Sequence, residues 1–172
     1  VEYEEEMPAR WPNANFSDGT ALNDEEFWAH GSVDVGDYQT DATSDCNPGM
    51  VKHQDGSKYY CLNYVNGELE DDNSSYLGHD GLIDSGLNAT GAIAVLNIGS
   101  FRTWSRNVTS HNTSNGSFTF EEVPSSEWKY KHHMYFLTQK LDLLDVPGEW
   151  FFDHESAGNT VYYMPRDGKD PN

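Results

Sequence analysis

Basic residues are scarce in this chain of 172 residues. Ten lysines and arginines face 29 aspartates and glutamates, for a net charge of −19. A surface so negative repels phosphate backbones and anionic headgroups, which excludes nucleic acid and acidic membranes as partners. It suits solubility, divalent cations or a salty medium that screens self-repulsion. Cysteine is as rare, with Cys46 and Cys61 alone. Their spacing is not a zinc pattern, and no Cys-x-x-Cys accompanies it. No apolar run approaches the ~18 residues of a membrane span. No apolar leader opens at Val1, so the chain reads as a mature or excised segment. His-Glu-x-x-His, a nucleophile elbow and repeats are missing too, so no catalytic residue is expected.

Aromatic residues, by contrast, make up 13% of the chain. That is a folding composition, and the length fits one domain able to bury about two thirds of its unfolded surface. N-x-[ST] sequons are also abundant, at Asn15, Asn73, Asn88, Asn107, Asn112 and Asn115. Chance would supply roughly two from this composition, given the motif's definition. The excess points to a eukaryotic secretory route and an extracellular location, with N-linked glycans holding these segments at the surface. In that compartment Cys46 and Cys61 would form one disulfide closing a local loop, worth ~3 kcal/mol.

Along the chain, short strands and loops predominate. Asn23 is placed to cap a short helix with acids in its first turn, ended by Gly31. Residues 31–80 are rich in Asp, Asn and Gly and read as a loop-rich insertion pinned by the disulfide, contributing little to the core. Within them Lys58 to Val65 is the strand candidate, with a hairpin signal at Asn66-Gly67. Gly91 to Ile98 reads as a buried strand. Phe101 to Thr109 alternates as a half-solvated strand should, and Ser117 to Val123 alternates again with Phe118, Phe120 and Val123 inward. Lys129 to Leu137 fits strand or helix. A helical turn precedes Pro147, and Glu149 to Asp153 pairs with Thr160 to Met164 as a hairpin. Aromatics on both faces of that hairpin predict burial within a sandwich. The fold class expected is mainly β: a small antiparallel β-sandwich or partly open barrel, residues 1–172, with long loops and one or two short helices.

Few side chains suggest chemistry. Trp11 and Trp150 could stack on a glycan, although Trp's large apolar area makes core the plainer role. Glu149 and Asp153 lie ~13 Å apart at strand rise, beyond the ~5–9.5 Å of glycosidase carboxylates. His132 and His133, adjacent in a strand, point to opposite faces and cannot share a metal. Asp34, Asp37, Asp41 and Asp45, or Glu70, Asp71 and Asp72 in the run from Glu68, could offer oxygens to calcium, the one cofactor in view. Neither run has EF-hand spacing, and a solvated acidic face is the plainer reading.

Three segments in order carry a resemblance: Ala9-Arg10-Trp11-Pro12-Asn13; Thr90 to Leu96 with Phe101 to Arg106; and Leu143 to Asp153, containing Pro147-Gly148-Glu149-Trp150, followed by Val161-Tyr162-Tyr163-Met164-Pro165. The pattern resembles the β-rich domain embedded in secreted right-handed parallel β-helix proteins, many of them glycoside hydrolases or other polysaccharide-active enzymes. The resemblance implies a small sandwich-like domain with a β-helix after Pro165 or on both sides. The catalytic groove of such proteins lies on the β-helix, so no catalytic residue transfers, and residues 31–80 depart from the pattern. The function expected is a non-catalytic extracellular glycoprotein module, a structural unit that assembles with copies of itself or with other surface proteins through strand edges at Val1 to Tyr3 and after Pro165. The alternative is an accessory or carbohydrate-binding domain of a β-helix carbohydrate-active enzyme, with polysaccharide as partner.

Overall fold

A computed structural model of the chain describes residues 5–23, 27–33, 51–55, 58–62, 64–65, 68–71, 81–99, 102–121, 123–124, 134–155 and 158–169. The strands are β1 (Met7–Pro8), β2 (Arg10–Trp11), β3 (Ala29–Val33), β4 (Val51–Asp55), β5 (Lys58–Leu62), β6 (Tyr64–Val65) and β7 (Glu68–Asp71). They continue with β8 (Ile93–Gly99), β9 (Arg102–Asn112), β10 (Ser117–Phe120), β11 (Val123–Pro124), β12 (Met134–Thr138), β13 (Glu149–Asp153) and β14 (Thr160–Tyr163). The architecture is mainly β, and its two open layers make a small sandwich.

In one layer β12 is central. It pairs antiparallel with β8 along one edge and with β2 and β3 along the other. In the second layer β10 lies between β7 and β9. Two strands pass from layer to layer. The first half of β9 pairs with β8 and its second half with β10. Likewise Ala29 and His30 of β3 pair with β12, whereas Gly31 to Val33 pair with β7. Register shifts at Leu96/Gly99 and Thr119/Phe120 accompany the bend of β9; bulges of this kind increase local twist and let a strand turn a corner.

The period-2 pattern explains the core. In β8, Ala94, Leu96 and Ile98 are buried while Ile93, Val95 and Asn97 are only partly so. In β9 the exposed Thr103, Ser105 and Asn107 alternate with the half-buried Trp104 and Arg106. Phe118 and Phe120 point inward, as their spacing requires, and Val123, in β11, is buried as well. Phe118 and Tyr135 belong to strands that share no ladder, yet their rings lie 5.1 Å apart. That contact joins the layers. Trp11 closes on Tyr135 from the side, at 6.1 Å.

Three expectations change. Asn23 accepts one helical hydrogen bond from the Phe27 amide, but by Ala29 the chain is a strand, and Gly31 sits inside a ladder opposite Asp71. Long-range pairing has overridden local helix signals, as tertiary context commonly does. The supposed insertion is drawn into the fold at both ends, through β3 and through β7, whose Leu69 is fully buried. The Lys58 to Val65 candidate divides: β5 pairs with β4, and β6 with β11.

A second, smaller sheet stands beside the sandwich in the order β1–β13–β14. β13 and β14 form the expected hairpin, from Trp150 opposite Tyr163 to Asp153 opposite Thr160. β1 joins it in parallel. The hairpin is not buried, contrary to the aromatic argument. All four residues of β14 are exposed, Val161 at 60%, and Phe152 of β13 is exposed as well. Its aromatics cover one another instead, Phe151 stacking on Tyr162. The start of β13 turns into the protein, and Phe151 in its middle rests partly buried against the core.

Candidate functional site

The two sheets are joined at Arg10 and Glu149. β1 belongs to the small sheet, and β2, one residue later, belongs to the sandwich. At this step Glu149 is buried, 1% exposed, and Arg10 is buried beside it. The Glu149 carboxylate accepts the Arg10 amide (3.3 Å) and the Asp145 amide (3.4 Å). Burial pushes its pKa up to about 7, against the opposing pull of backbone N–H groups from Arg10, Asp145 and Val146. The Arg10 guanidinium donates to the carbonyls of Pro12 (2.9 Å) and Phe27 (2.7 Å) and lies 4.1 Å over the Phe136 ring. Burial lowers its pKa to about 10, with Glu149 acting in the other direction. These groups are held by neighbours and sealed from solvent. Their chemistry is structural: they fix where β1, β2, β13 and the loop before β13 meet.

A second carboxylate clamps the outside of the joint. Glu6 accepts the Tyr163 hydroxyl at 3.0 Å and the Arg166 guanidinium at 3.1 Å. Gly148 passes next to it with φ +93°, and a Cβ there would sit 2.7 Å from the Glu6 carboxylate. The positive φ calls for glycine, and a side chain there would also push on the Glu6 clamp. Arg166 is thereby held down, so the segment just after Pro165 is not the loose strand expected for adding to a neighbour; Val1 to Tyr3 lie outside the described residues.

Sequon asparagines show a recurring geometry. Asn15, Asn88, Asn112 and Asn115 each accept, through Oδ1, the backbone N–H two residues on, at 2.9–3.1 Å. That amide belongs to the sequon's own Ser or Thr. A backbone N–H requires oxygen as its acceptor, so the amide nitrogen of each Asn is the outward end. Asn88, Asn107, Asn112 and Asn115 are exposed and Asn15 partly so. Asn73 lies outside the described residues.

Other expected sites fare variously. Trp11 is buried and offers no face for stacking. Trp150 is half-buried and donates Nε1 to the Glu6 carbonyl at 3.4 Å. Glu149 is in the interior while Asp153 is at the far, open end of β13, so the two carboxylates do not share a site. Glu70 and Asp71 are ladder residues of β7, Glu70 opposite Ser117 and Asp71 opposite Gly31. Among the described residues no three His, Cys, Asp or Glu side chains gather as metal ligands. Asp34, Asp37, Asp41, Asp45, Asp72, Cys46, His132 and His133 lie outside them, and the Cys46–Cys61 pairing with them. No helix among the described residues is long and apolar enough to cross a membrane.

One open cleft was not foreseen. It measures ≈ 260 Å³ and lies between the 3₁₀ turn Leu141–Leu143 and the outer end of β13. Phe151 and Leu141 form its apolar wall, and Gln139, Lys140, Asp153 and His154 its polar rim. Its residues come from three separate stretches, so no local motif could announce it. No family model, no curated protein and no solved structure matches the chain.

Proposed function

We propose that this chain is a secreted, N-glycosylated module that joins an extracellular assembly through its exposed hairpin. The observation that carries the reading is a division of the surface. Asn88, Asn107, Asn112 and Asn115 stand exposed within residues 81–116, and no sequon follows Asn115. Of the exposed large apolar and aromatic residues among those described, Phe152, Val161, Tyr162 and Tyr163 cluster on the hairpin, while Phe16, Leu22 and Leu141 stand singly elsewhere. Glycans would keep one set of strands solvated and leave the other free for contact. β14 is an edge strand, and an exposed apolar edge of this kind invites addition of another strand unless it is protected.

The test has two parts. Chain produced through a eukaryotic secretory pathway is mapped for glycan occupancy by peptide mass spectrometry, and its association is followed by sedimentation over a wide concentration range. Occupied sequons at Asn88, Asn107 and Asn112, with association abolished by Val161→Glu, are the expected results. Bare asparagines together with a monomer at every concentration, alone and with the material it is secreted beside, would sink the reading.

A further inference from the structure

The cleft beside Phe151 has the size and chemistry of a seat for one sugar ring. Its ≈ 260 Å³ falls just below the ~300–1,000 Å³ of sites for drug-sized ligands, which leaves room for a single ring. The Phe151 ring is backed by Tyr162, at 6.2 Å and 28°, and packs against the core, so its position is fixed. Around it stand both kinds of hydrogen-bonding partner. Lys140, Gln139 and His154 can donate, and Asp153 and Glu155 can accept. The Lys140 ammonium is already paired with Asp142 at 3.1 Å, so with Asp153 and Glu155 on the rim the cleft does not suit a phosphate, and among the described residues no three acidic or imidazole side chains gather to hold a metal ion. An apolar wall with a mixed polar rim suits a ring that has a C–H face and a hydroxyl edge. Gln139, on the rim, is held at φ +60°, a left-handed backbone that a non-glycine residue adopts only under strain.

A sugar source lies on the same rim. The Asn88 carbonyl accepts from the Lys140 ammonium, and Gly91, three residues further on, lines the cleft. The Oδ1 of Asn88 is occupied by the Thr90 amide, which leaves its nitrogen as the attachment point. We propose that this cleft seats one uncharged pyranose, supplied either by the first sugar of a chain on Asn88 or by a glycan from outside. The first source rests on the glycoprotein reading above; the second does not.

The experiment titrates N-acetylglucosamine into the full chain carrying Asn88→Gln, followed by amide NMR. Shifts centred on Gly91, Gln139, Leu141 and His154, saturating in the millimolar range, are expected. Phe151→Leu, which keeps apolar volume and removes the ring face, should weaken binding about tenfold. If Phe151→Leu melts early, Glu155→Ala decides on the same terms. The unsubstituted glycosylated chain separates the sources. No response there means that its own glycan fills the seat, and an equal response means that the sugar comes from outside. Absence of shifts with Asn88→Gln at about 50 mM sugar, far above a millimolar Kd, would overturn the proposal. Unchanged affinity in the folded Phe151→Leu or Glu155→Ala chain would do the same. A mass spectrum with Asn88 bare would defeat glycosylation at that residue, while the titration would still decide whether the cleft takes a sugar from outside.

Discussion

The sandwich and the small sheet are built from similar residues and reach opposite outcomes. Tyr135 in β12 is completely buried, while Tyr162 and Tyr163 in β14 are exposed. The difference lies in what each strand has on its faces. Tyr135 is flanked by Phe118 from the opposite layer and Trp11 from the side. The outer strand of the hairpin has only its partner β13 on one edge. Aromatic content therefore says that a strand can be buried, and a second layer decides whether it is. In the small sheet the interior role passes to a charged residue, Glu149, at the end that meets the sandwich.

Substitutions can sharpen that contrast. The largest effect is expected for Tyr135→Ala, which opens a cavity between the layers and should lower the unfolding free energy by ~3–5 kcal/mol in denaturant titration. Glu149→Ala comes next. It leaves buried N–H groups of Arg10 and Asp145 without their acceptor and Arg10 without its counter-charge. A loss of ~3 kcal/mol is expected, with faster hydrogen exchange in the hairpin amides preceding any change in β8. At the bottom of the scale, Tyr162→Ser should cost ~1 kcal/mol, since the side chain is exposed on one side and loses only its stacking on Phe151. Equal losses for Tyr135→Ala and Tyr162→Ser would erase the distinction between the two sheets.

Acidity tests the joint separately. The folded Glu149 carboxyl titrates at about 7, against an ordinary value of 4.5. Between those values the folded chain keeps a proton that the unfolded chain has released, so folding is coupled to proton uptake. This group's contribution is fully present below about 4.5, falls as pH rises through about 7, and is level above that. Asp18 and Asp167, lowered by hydrogen bonds to Thr20 and Lys169 respectively, push the other way in more acidic solution. Subtracting the profile of Glu149→Gln isolates the Glu149 contribution. A difference curve that is flat from pH 4.5 to 7 would show that the carboxyl is ionised throughout that range in the folded protein.

Much of the fold was legible because alternation is a local signal. Phe118 and Phe120, and the in–out pattern of β9, could be read directly. So could the pairing of β13 with β14. β3 was not legible: Ala29-His30-Gly31-Ser32-Val33 has no apolar rhythm, and its strand form comes from β12 and β7, distant in sequence. Nor was β7, where Leu69 is the single apolar residue in an acidic run and nonetheless reaches the core. The outward amides of the sequons follow from a contact within each motif, between an Asn and the amide two residues on. The Phe151 cleft depends on residues near 91, 140 and 153 coming together, information that exists only once the chain has folded.

The clamp at Glu6 has a mechanical consequence. It fastens Arg166 to Glu6, so the first and last described stretches of the chain lie side by side there. Tension applied through those stretches would not run along the sandwich. It would concentrate on the ion pair and the short parallel seam between β1 and β13, peeling the small sheet from its edge while the layered core carried almost no load.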